Sequence, residues 1–461
     1  MNSVLSRIIM PFDDKVKAIV LNIVFFYIIL CTWINKTIFN ISSEVFNVLY
    51  VFGYISVFML AIMICDGNLK KQRISKIFLF FYFCFSFTFA LAALMTERIG
   101  SLILGMTYMV SLPLLMKTCC SAEKKQLIIE SLVNGIIINF LIIIVISLFS
   151  VNANEQLQYS GIIQNPNSFG MFCITAATSF LYKCYCYKNY FYYLGLGSTL
   201  LAVFIAQSRT ALICLIFNVV ILGGYLLISR KIKCVRIGHV IAFIAGIVLS
   251  FVMIFYLSPL IGGYDKLADV SDEKKTFESN MPAEDSSLNM KDEQESEEYT
   301  ENEISLDERN FGRITHGITD SGDILSGRLE IWNAYVKNIG ISPHSDEDLP
   351  MLNGETIEFS AHNTYIHLAY CFGVICGVFY LITNLTLGVT IIKRLLVDRG
   401  TSTFIISFIA IIDYGMFTLV ETSYDIIGNV ICLVHWFITL IFVVPRKENI
   451  SVDSSTFCSN K

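Results

Sequence analysis

Three observations predict an all-α polytopic membrane protein. The chain is 55% hydrophobic and only 15% charged over 461 residues. Apolar runs of about 20 residues, the length that crosses a bilayer's hydrocarbon core, recur along it. Basic residues gather in alternate short loops, as they do on the cytoplasmic side of membrane proteins.

About twelve spans are expected from length and hydropathy. They lie near 16–34, 44–65, 76–95, 98–116, 127–151, 169–183, 190–206, 209–228, 237–260, 363–391, 401–420 and 424–444. The first apolar run has no small-residue cleavage site behind it and reads as a retained helix. One set of connections carries Lys70, Lys71, Arg73 and Lys76, then Lys117, Lys124 and Lys125. The same set continues with Arg230, Lys231, Lys233 and Arg236, and with Lys393, Arg394 and Arg399. The alternate connections carry only Lys36, Arg98 and Arg209. Both termini are therefore expected in the cytoplasm, with 152–168, Arg209 and the long loop facing outward.

The expected organisation is an N-terminal block of membrane helices over 1–260, a large extracytoplasmic loop over 261–362, C-terminal helices over 363–444, and a cytoplasmic tail over 445–461. The net charge of −5 is local in origin, because acidic residues such as Glu293, Glu295, Glu297, Glu298, Glu301 and Glu303 crowd into 265–308. That stretch has too few large apolar residues to fold alone and reads as a disordered insertion; an acidic ligand-binding lobe is the alternative. Beyond Arg309 apolar residues return at helical spacing, with Leu329, Trp332, Ala334, Tyr335 and Val336 predicting an amphipathic helix over 325–339 that ends near Gly340. The 14 cysteines fall in predicted helices, cytoplasmic loops or the tail, so no disulfide framework or metal knuckle is implied. No internal repeat is evident, which weakens an inverted-repeat transporter reading.

Two arginines and a histidine at the outward edge are the candidates for chemistry. Arg209 stands in Gln207-Ser208-Arg209-Thr210-Ala211, where one helix ends and the next begins at once. It could anchor a helix end in the headgroups, or bind an anion beside the donors of Gln207, Ser208 and the new helix N-terminus. Arg328, in Ser326-Gly327-Arg328-Leu329-Glu330-Ile331-Trp332, falls in the first turn of the amphipathic helix. Its guanidinium can fork onto phosphate oxygens where lysine cannot, unless Glu330 or the acidic stretch neutralises it. His362 lies where the loop re-enters the membrane, in Ala361-His362-Asn363-Thr364-Tyr365. A histidine there can be a polar helix start or, since imidazole titrates near neutrality, a general base.

Around this trio, Gln164, Asn165 and Asn167 in the Gln-Asn-Pro-Asn-Ser turn read equally as turn and N-cap residues or as ligands for sugar hydroxyls. Asn363, Trp332 and Tyr365 are further substrate-contact candidates, and His367 is a supporting residue. Glu421 is the alternative base, because ionisable groups in or beside membrane helices are functional suspects. Asp413 and His435 read as internally paired groups. Asp346-Glu347-Asp348 resembles a metal-binding Asp-x-Asp element of nucleotide-sugar enzymes, but no nucleotide sugar reaches the outer face. Walker A, Rossmann, HExxH and nucleophile-elbow patterns are absent from the sequence, which argues against ATP-driven transport and metal hydrolysis.

Together these elements resemble the O-antigen ligase and O-antigen polymerase superfamily, of the Wzy and WaaL type. The matching parts are Ser208-Arg209-Thr210-Ala211, Arg328-x3-Trp332, and His362-Asn363 followed by Gly373. The chain departs from ligases in two places. Gly373 is followed by Gly377, leaving Cys376 where a glycine is expected, and the glycine-rich turn after the Arg-Trp helix is reduced to Gly340-Ile341-Ser342-Pro343. Both departures tilt the reading towards polymerase.

The resemblance implies a GT-C-like glycosyltransferase of the bacterial cytoplasmic membrane, using an undecaprenyl-diphosphate-linked oligosaccharide as donor and acceptor, in contact with membrane lipid. It implies neither cofactor nor metal, no nucleic acid, and a flippase and chain-length regulator as protein partners. Arg209 and Arg328 would stabilise the leaving diphosphate, and His362 would orient or deprotonate the acceptor hydroxyl. The alternatives are a ligase moving a lipid-linked glycan to another acceptor, and a flippase or transporter of lipid-linked sugars. Sugar identity, linkage and the choice between capsule and O-antigen are not written in the residues.

Overall fold

The computed structural model describes residues 14–34, 37, 42–64, 75–118, 122–150, 158–163, 165–228, 237–257, 328–345, 348–352, 355–357, 360–397 and 402–443. The acidic stretch 265–308, the C-terminal tail, Gln164, Asp346 and Glu347 lie outside them.

The apolar runs fold into helices. In chain order these are α1 (Asp14–Ile34), α2 (Ser43–Ile64), α3 (Lys76–Met95), α4 (Ile99–Met106) and α5 (Leu112–Thr118), the last two joined by a π turn at Thr107–Ser111. There follow α6 (Ala122–Ser150), α7 (Pro166–Tyr187), α8 (Tyr190–Ala206), α9 (Arg209–Ile228) and α10 (Ile237–Val252) with a π turn at Met253–Leu257. Then come α11 (Arg328–Lys337), two paired two-residue strands β1 (Met351–Leu352) and β2 (Glu355–Thr356), α12 (Thr364–Cys371), α13 (Val374–Val397), α14 (Ser402–Val420) and α15 (Val430–Val443).

Among the described residues, 7 helical stretches are long and apolar enough to cross a membrane: Lys15–Ile34, Glu44–Ile62, Lys76–Met95, Ile99–Met116, Lys125–Phe149, Ile237–Leu257 and Val374–Lys393. Tyr190–Ala206, Arg209–Gly224 and Ser407–Val420 are apolar but shorter. Large apolar side chains such as Ile241, Ile244 and Val248 on α10 lie exposed on the surface, which a bilayer accommodates and water does not. The protein is an all-helical polytopic membrane protein.

Aromatic side chains fill the centre. Tyr82, Phe85 and Phe89 of α3 meet Tyr108 of the π turn, Tyr380 of α13 and Trp436 of α15, all buried. Edge-to-face pairs of this kind add about 0.5–1.5 kcal/mol beyond the area they bury. Elsewhere small residues let backbones touch, as membrane helices require in the absence of a hydrophobic drive between them. Helices α8 and α10 cross so closely that a Cβ at Gly197 would lie 2.2 Å from Phe243 O, and one at Gly246 only 2.0 Å from Leu194 O.

The structure corrects three expectations. The run 363–391 is two helices, α12 and α13, broken at Phe372–Gly373. Gly373 has φ +85°, and a Cβ there would stand 2.5 Å from Ile341 O, so the chain turns where only glycine fits. The expected span 424–444 begins later, because 421–429 are non-helical and α15 opens at Val430, with Asn429 Oδ1 accepting from Ile431 N at 3.1 Å. The helix expected over 325–339 is described as Arg328–Lys337. Its Ala334 and Tyr335 are buried, whereas Leu329 and Val336, counted on its apolar face, are exposed.

Gly246→Ala should lower unfolding stability by about 1–3 kcal/mol, the usual cost of overpacking, whereas Gly388, with nothing within 4 Å of its added Cβ, should accept alanine without loss. Thermal melts of the purified protein in detergent compare the two.

Candidate active site

Four short sequences at helix starts bring the predicted residues to one end of the bundle. Each turn is set by local chemistry. Asn165 caps α7 by accepting from Asn167 N and Ser168 N at 2.8 and 3.1 Å, with Pro166 at the first helical position. Asn363 caps α12 in the same way, accepting from Tyr365 N and Ile366 N at 3.0 and 3.1 Å. Between α8 and α9 the chain reverses through Gln207 at φ +50° and Ser208, whose Oγ accepts from Ala211 N at 3.5 Å. Arg209 is thereby the first residue of α9 and half-buried, while Gln207 and Ser208 are buried. Arg328 is the first residue of α11.

The residue on which these starts converge is Glu421, immediately after α14. Its Oε1 accepts from Arg328 Nη2 at 2.8 Å and from Asn167 Nδ2 at 3.0 Å. Its Oε2 stands 3.1 Å from His362 Nδ1. The backbone is pinned as firmly: Glu421 N donates to Phe417 O at 2.7 Å, and Glu421 O accepts from Thr364 Oγ1 at 2.8 Å. Thr364 Oγ1 in turn accepts from Ser423 N at 2.8 Å, and Ser423 Oγ accepts from Asn429 Nδ2 at 2.9 Å. One carboxylate thus joins residues 167, 328, 362 and 421. It sits beside the first turns of α7, α11 and α12, where helix dipoles favour negative charge.

The cluster is enclosed but reachable. The side chains of Arg328 and Glu421 are 17% and 14% exposed, and that of His362 is 31% exposed. His362 has φ +46°, a left-handed conformation that costs a non-glycine residue about 1–3 kcal/mol and persists only where its surroundings enforce it. With Nδ1 donating to the carboxylate, the imidazole lone pair lies on Nε2, on the opposite edge of the ring. Helix α7 packs against the turn that carries Arg209. A Cβ at Gly170, one turn beyond Asn167, would meet Ser208 Cβ at 2.8 Å and Ala211 Cβ at 3.0 Å. Beside the cluster, two of the buried donors that lack an acceptor among the described residues are Trp332 Nε1, one turn along α11 from Arg328, and Thr422 Oγ1, next to Glu421.

Other candidates are employed elsewhere. Asn165 and Asn363 spend their side-chain oxygens on caps, and Asn363 Nδ2 also donates to Leu419 O at 2.9 Å. Tyr365 OH accepts from Thr418 Oγ1 at 3.4 Å, and its ring lies near Tyr380. His367 stacks on Tyr424, with Cys371 Sγ 3.6 Å from Nε2. Asp413 accepts from Asn218 Nδ2 and Thr178 Oγ1, and His435 stacks on Tyr414 while its Nε2 lies 3.0 Å from Asn384 Oδ1. Both have internal partners, as their positions suggest. Asp348 closes a local turn, and hydrogen bonds from Ser345 N and Oγ hold its carboxyl below the usual range.

Residues 194–381 match the family model Wzy_C, described as O-antigen ligase. The matched stretch is similar to the O-antigen ligase/polymerase superfamily. No curated protein matches the chain. Within the matched stretch lie Gln207, Ser208, Arg209, Arg328, Trp332, His362, Asn363 and Tyr365. Asn167 and Glu421 lie outside it. Sequence reasoning placed Glu421 as a substitute for His362; the structure places the two together. The signal that could have found this was a lone carboxylate at a helix end on the predicted outer face, beside an arginine and a histidine on the same face.

Because Glu421 is shared, its partners should be energetically coupled. Glu421→Gln and Arg328→Met should each cost about 1–3 kcal/mol, as hydrogen bonds to charged groups do, and the double variant less than their sum. Additive losses in thermal melts would show the pair to be independent.

Proposed function

We propose that the protein transfers a glycan from a polyprenyl-diphosphate carrier to a hydroxyl acceptor at the outer face of the cytoplasmic membrane, and that it acts as a polymerase of surface-polysaccharide repeat units. The observation that carries the reading is the convergence of Arg328, Glu421, His362 and Asn167 on one partly enclosed point, in a chain whose residues 194–381 match the O-antigen ligase family model. Sidedness rests on the basic loops, which leave this end of the bundle outside and both termini inside. The GT-C-like class, the undecaprenyl carrier, and flippase and chain-length regulator partners belong to the same proposal.

The chemistry follows from the residues. A glycosyl diphosphate is already activated, so the step needs an oriented nucleophile and a place for the leaving charge. The acceptor hydroxyl oxygen attacks the anomeric carbon while the bond from that carbon to the diphosphate oxygen breaks. The hydroxyl proton passes to His362 Nε2, and the electron pair leaves on the diphosphate. Glu421 fixes the tautomer and the ring plane by accepting from Nδ1, the part a third group plays in nucleophile–base systems. Arg328 and Arg209 meet the developing negative charge, where preorganised donors contribute most. Asn167 holds the carboxylate in place. One displacement of this kind inverts the anomeric centre.

Polymerase is preferred to ligase on the glycine departures at Gly340–Pro343 and Cys376. Similarity to the O-antigen ligase family favours the ligase reading, and the two differ in product. A deletion strain should accumulate single repeat units on lipid if the protein is a polymerase, and long polymer still on lipid if it is a ligase; sizing the lipid-linked glycans decides. In a purified assay, Arg209→Ala and Arg328→Ala should lose about 10²–10³-fold in rate, as removal of one oxyanion donor does. His362→Ala should lose about 10²–10⁴-fold, the range of general-base catalysis. Wild-type rates for folded, abundant variants would overturn the assignment.

A further inference from the structure

The segment after α11, residues 340–345, lies on the break between α12 and α13. Val374 N donates to Gly340 O at 3.0 Å, and Gly373 leaves room for Ile341 O. A third element holds it from the side. Arg98, in the turn between α3 and α4, donates from Nη2 to His344 O at 2.9 Å, and its guanidinium lies 5.4 Å from the centre of the Phe372 ring. Glu97 takes the left-handed conformation at φ +56°, and Arg98 N donates to Ala93 O at 3.0 Å, which folds the arginine back over the bundle. The His344 ring stacks on Tyr370 at 4.1 Å and 5°, with Nδ1 2.9 Å from Tyr370 O. Tyr370 packs edge-on against Tyr335 of α11 at 4.9 Å. A continuous chain of contacts therefore runs from Phe372 through Arg98, the His344 backbone and ring, and Tyr370 to the far end of the helix that begins with Arg328.

We infer that Arg98 is a positioning residue for the transfer site: by holding residues 340–345 onto the α12–α13 break it fixes the far end of α11, and so the place where Arg328 meets Glu421. The inference rests on the transfer-site reading above. Its force is one of leverage. Helix α11 has 10 residues, which makes it about 15 Å long. A tilt of a few degrees at one end moves the other by about 1 Å, a misplacement able to cost about 10²-fold in rate. Arg98 needs no contact with the substrate to matter. Its guanidinium is engaged with a carbonyl and an aromatic face, both parts of the clamp.

The test uses full-length protein in nanodiscs with Arg98→Met, which keeps the apolar stem and removes the cation. Hydrogen exchange over 338–345 should quicken about tenfold or more, as a locally opened segment does. With lipid-linked glycan extracted from a deletion strain as the donor probe, kcat should fall about tenfold while KM for the donor changes by less than about threefold. The loss should disappear in an Arg328→Ala background, since one residue acts through the other. Arg98→Lys keeps a cation over Phe372 but not the fork; it should show a smaller effect in both readouts and serves where the methionine variant does not fold. Unchanged exchange overturns the inference, and so does quickened exchange with a wild-type rate. A rate loss that multiplies with that of Arg328→Ala also overturns it, because Arg98 would then bind the anion itself. A wild-type rate for Arg328→Ala removes the transfer-site reading and this inference with it, whereas a strong Arg328 dependence with an inert Arg98 removes this inference alone.

Discussion

The shared carboxylate of Glu421 determines how the rest of this end of the protein must be built. Arg328 and His362 are 34 residues apart in the chain, and Asn167 and Glu421 come from opposite sides of the family-matched stretch. Four chain segments meet only if helices α7, α11, α12 and α14 end at one level, and the fold provides this by starting or stopping each of them there. A carboxylate drawn partly out of water needs its charge met. Here a guanidinium, the imidazole Nδ1 and a carboxamide N–H meet it at 2.8, 3.1 and 3.0 Å. The same three donors would otherwise lie close together with nothing to balance them. Glu421 therefore organises the cluster in the absence of substrate, and an arriving phosphate has to compete with it for Arg328 without displacing it from His362.

Backbone strain is placed with the same economy. Among the described residues, four non-glycine residues have positive φ, namely Glu97, Lys188, Gln207 and His362. Three of them are at, or within two residues of, the candidate arginines and histidine: Glu97 precedes Arg98, Gln207 stands two before Arg209, and His362 is itself strained. Each sits where a helix has to begin abruptly, and each reverses the chain in one or two residues. The tight turns keep the charged side chains at the rim, where burying a cation in hydrocarbon is avoided. Lys188, at the α7–α8 turn, takes the same conformation where α7 ends in a left-handed cap and Asn189 opens α8, so a short helix-to-helix turn alone can require it.

Much of this was legible in the residues and some of it was not. Helix existence follows from apolar length, which is a property of the sequence alone, and Asn165-Pro166 and Asn363 announce their caps through chemistry that acts within three residues. The break at Gly373 was not legible as a break. Its cause is the approach of Ile341 O, a contact from 32 residues away, and the hydropathy of 363–391 runs through it unchanged. The exposure of Leu329 and Val336 was hidden for a related reason: helical spacing identifies a face, but neighbours decide which part of that face is covered. Glu421 was visible as an ionisable group and invisible as a hub, because nothing in the sequence near it states that Arg328, His362 and Asn167 will arrive.

The two glycine departures from the ligase pattern gain a physical meaning from the same contact. Gly340 and Gly373, remote in sequence, belong to one junction: Gly340 O accepts from Val374 N, and Gly373 yields space to Ile341 O. Gly377 is part of it too, since a Cβ there would lie 2.7 Å from Ala369 Cβ and 2.9 Å from Ala369 Cα, so α12 can fold back onto the start of α13 only past a residue without a side chain. Cys376, at the position where a glycine is expected, is fully buried. Gly340, Gly373 and Gly377 thus let the segment that follows α11 lie directly against the junction between α12 and α13.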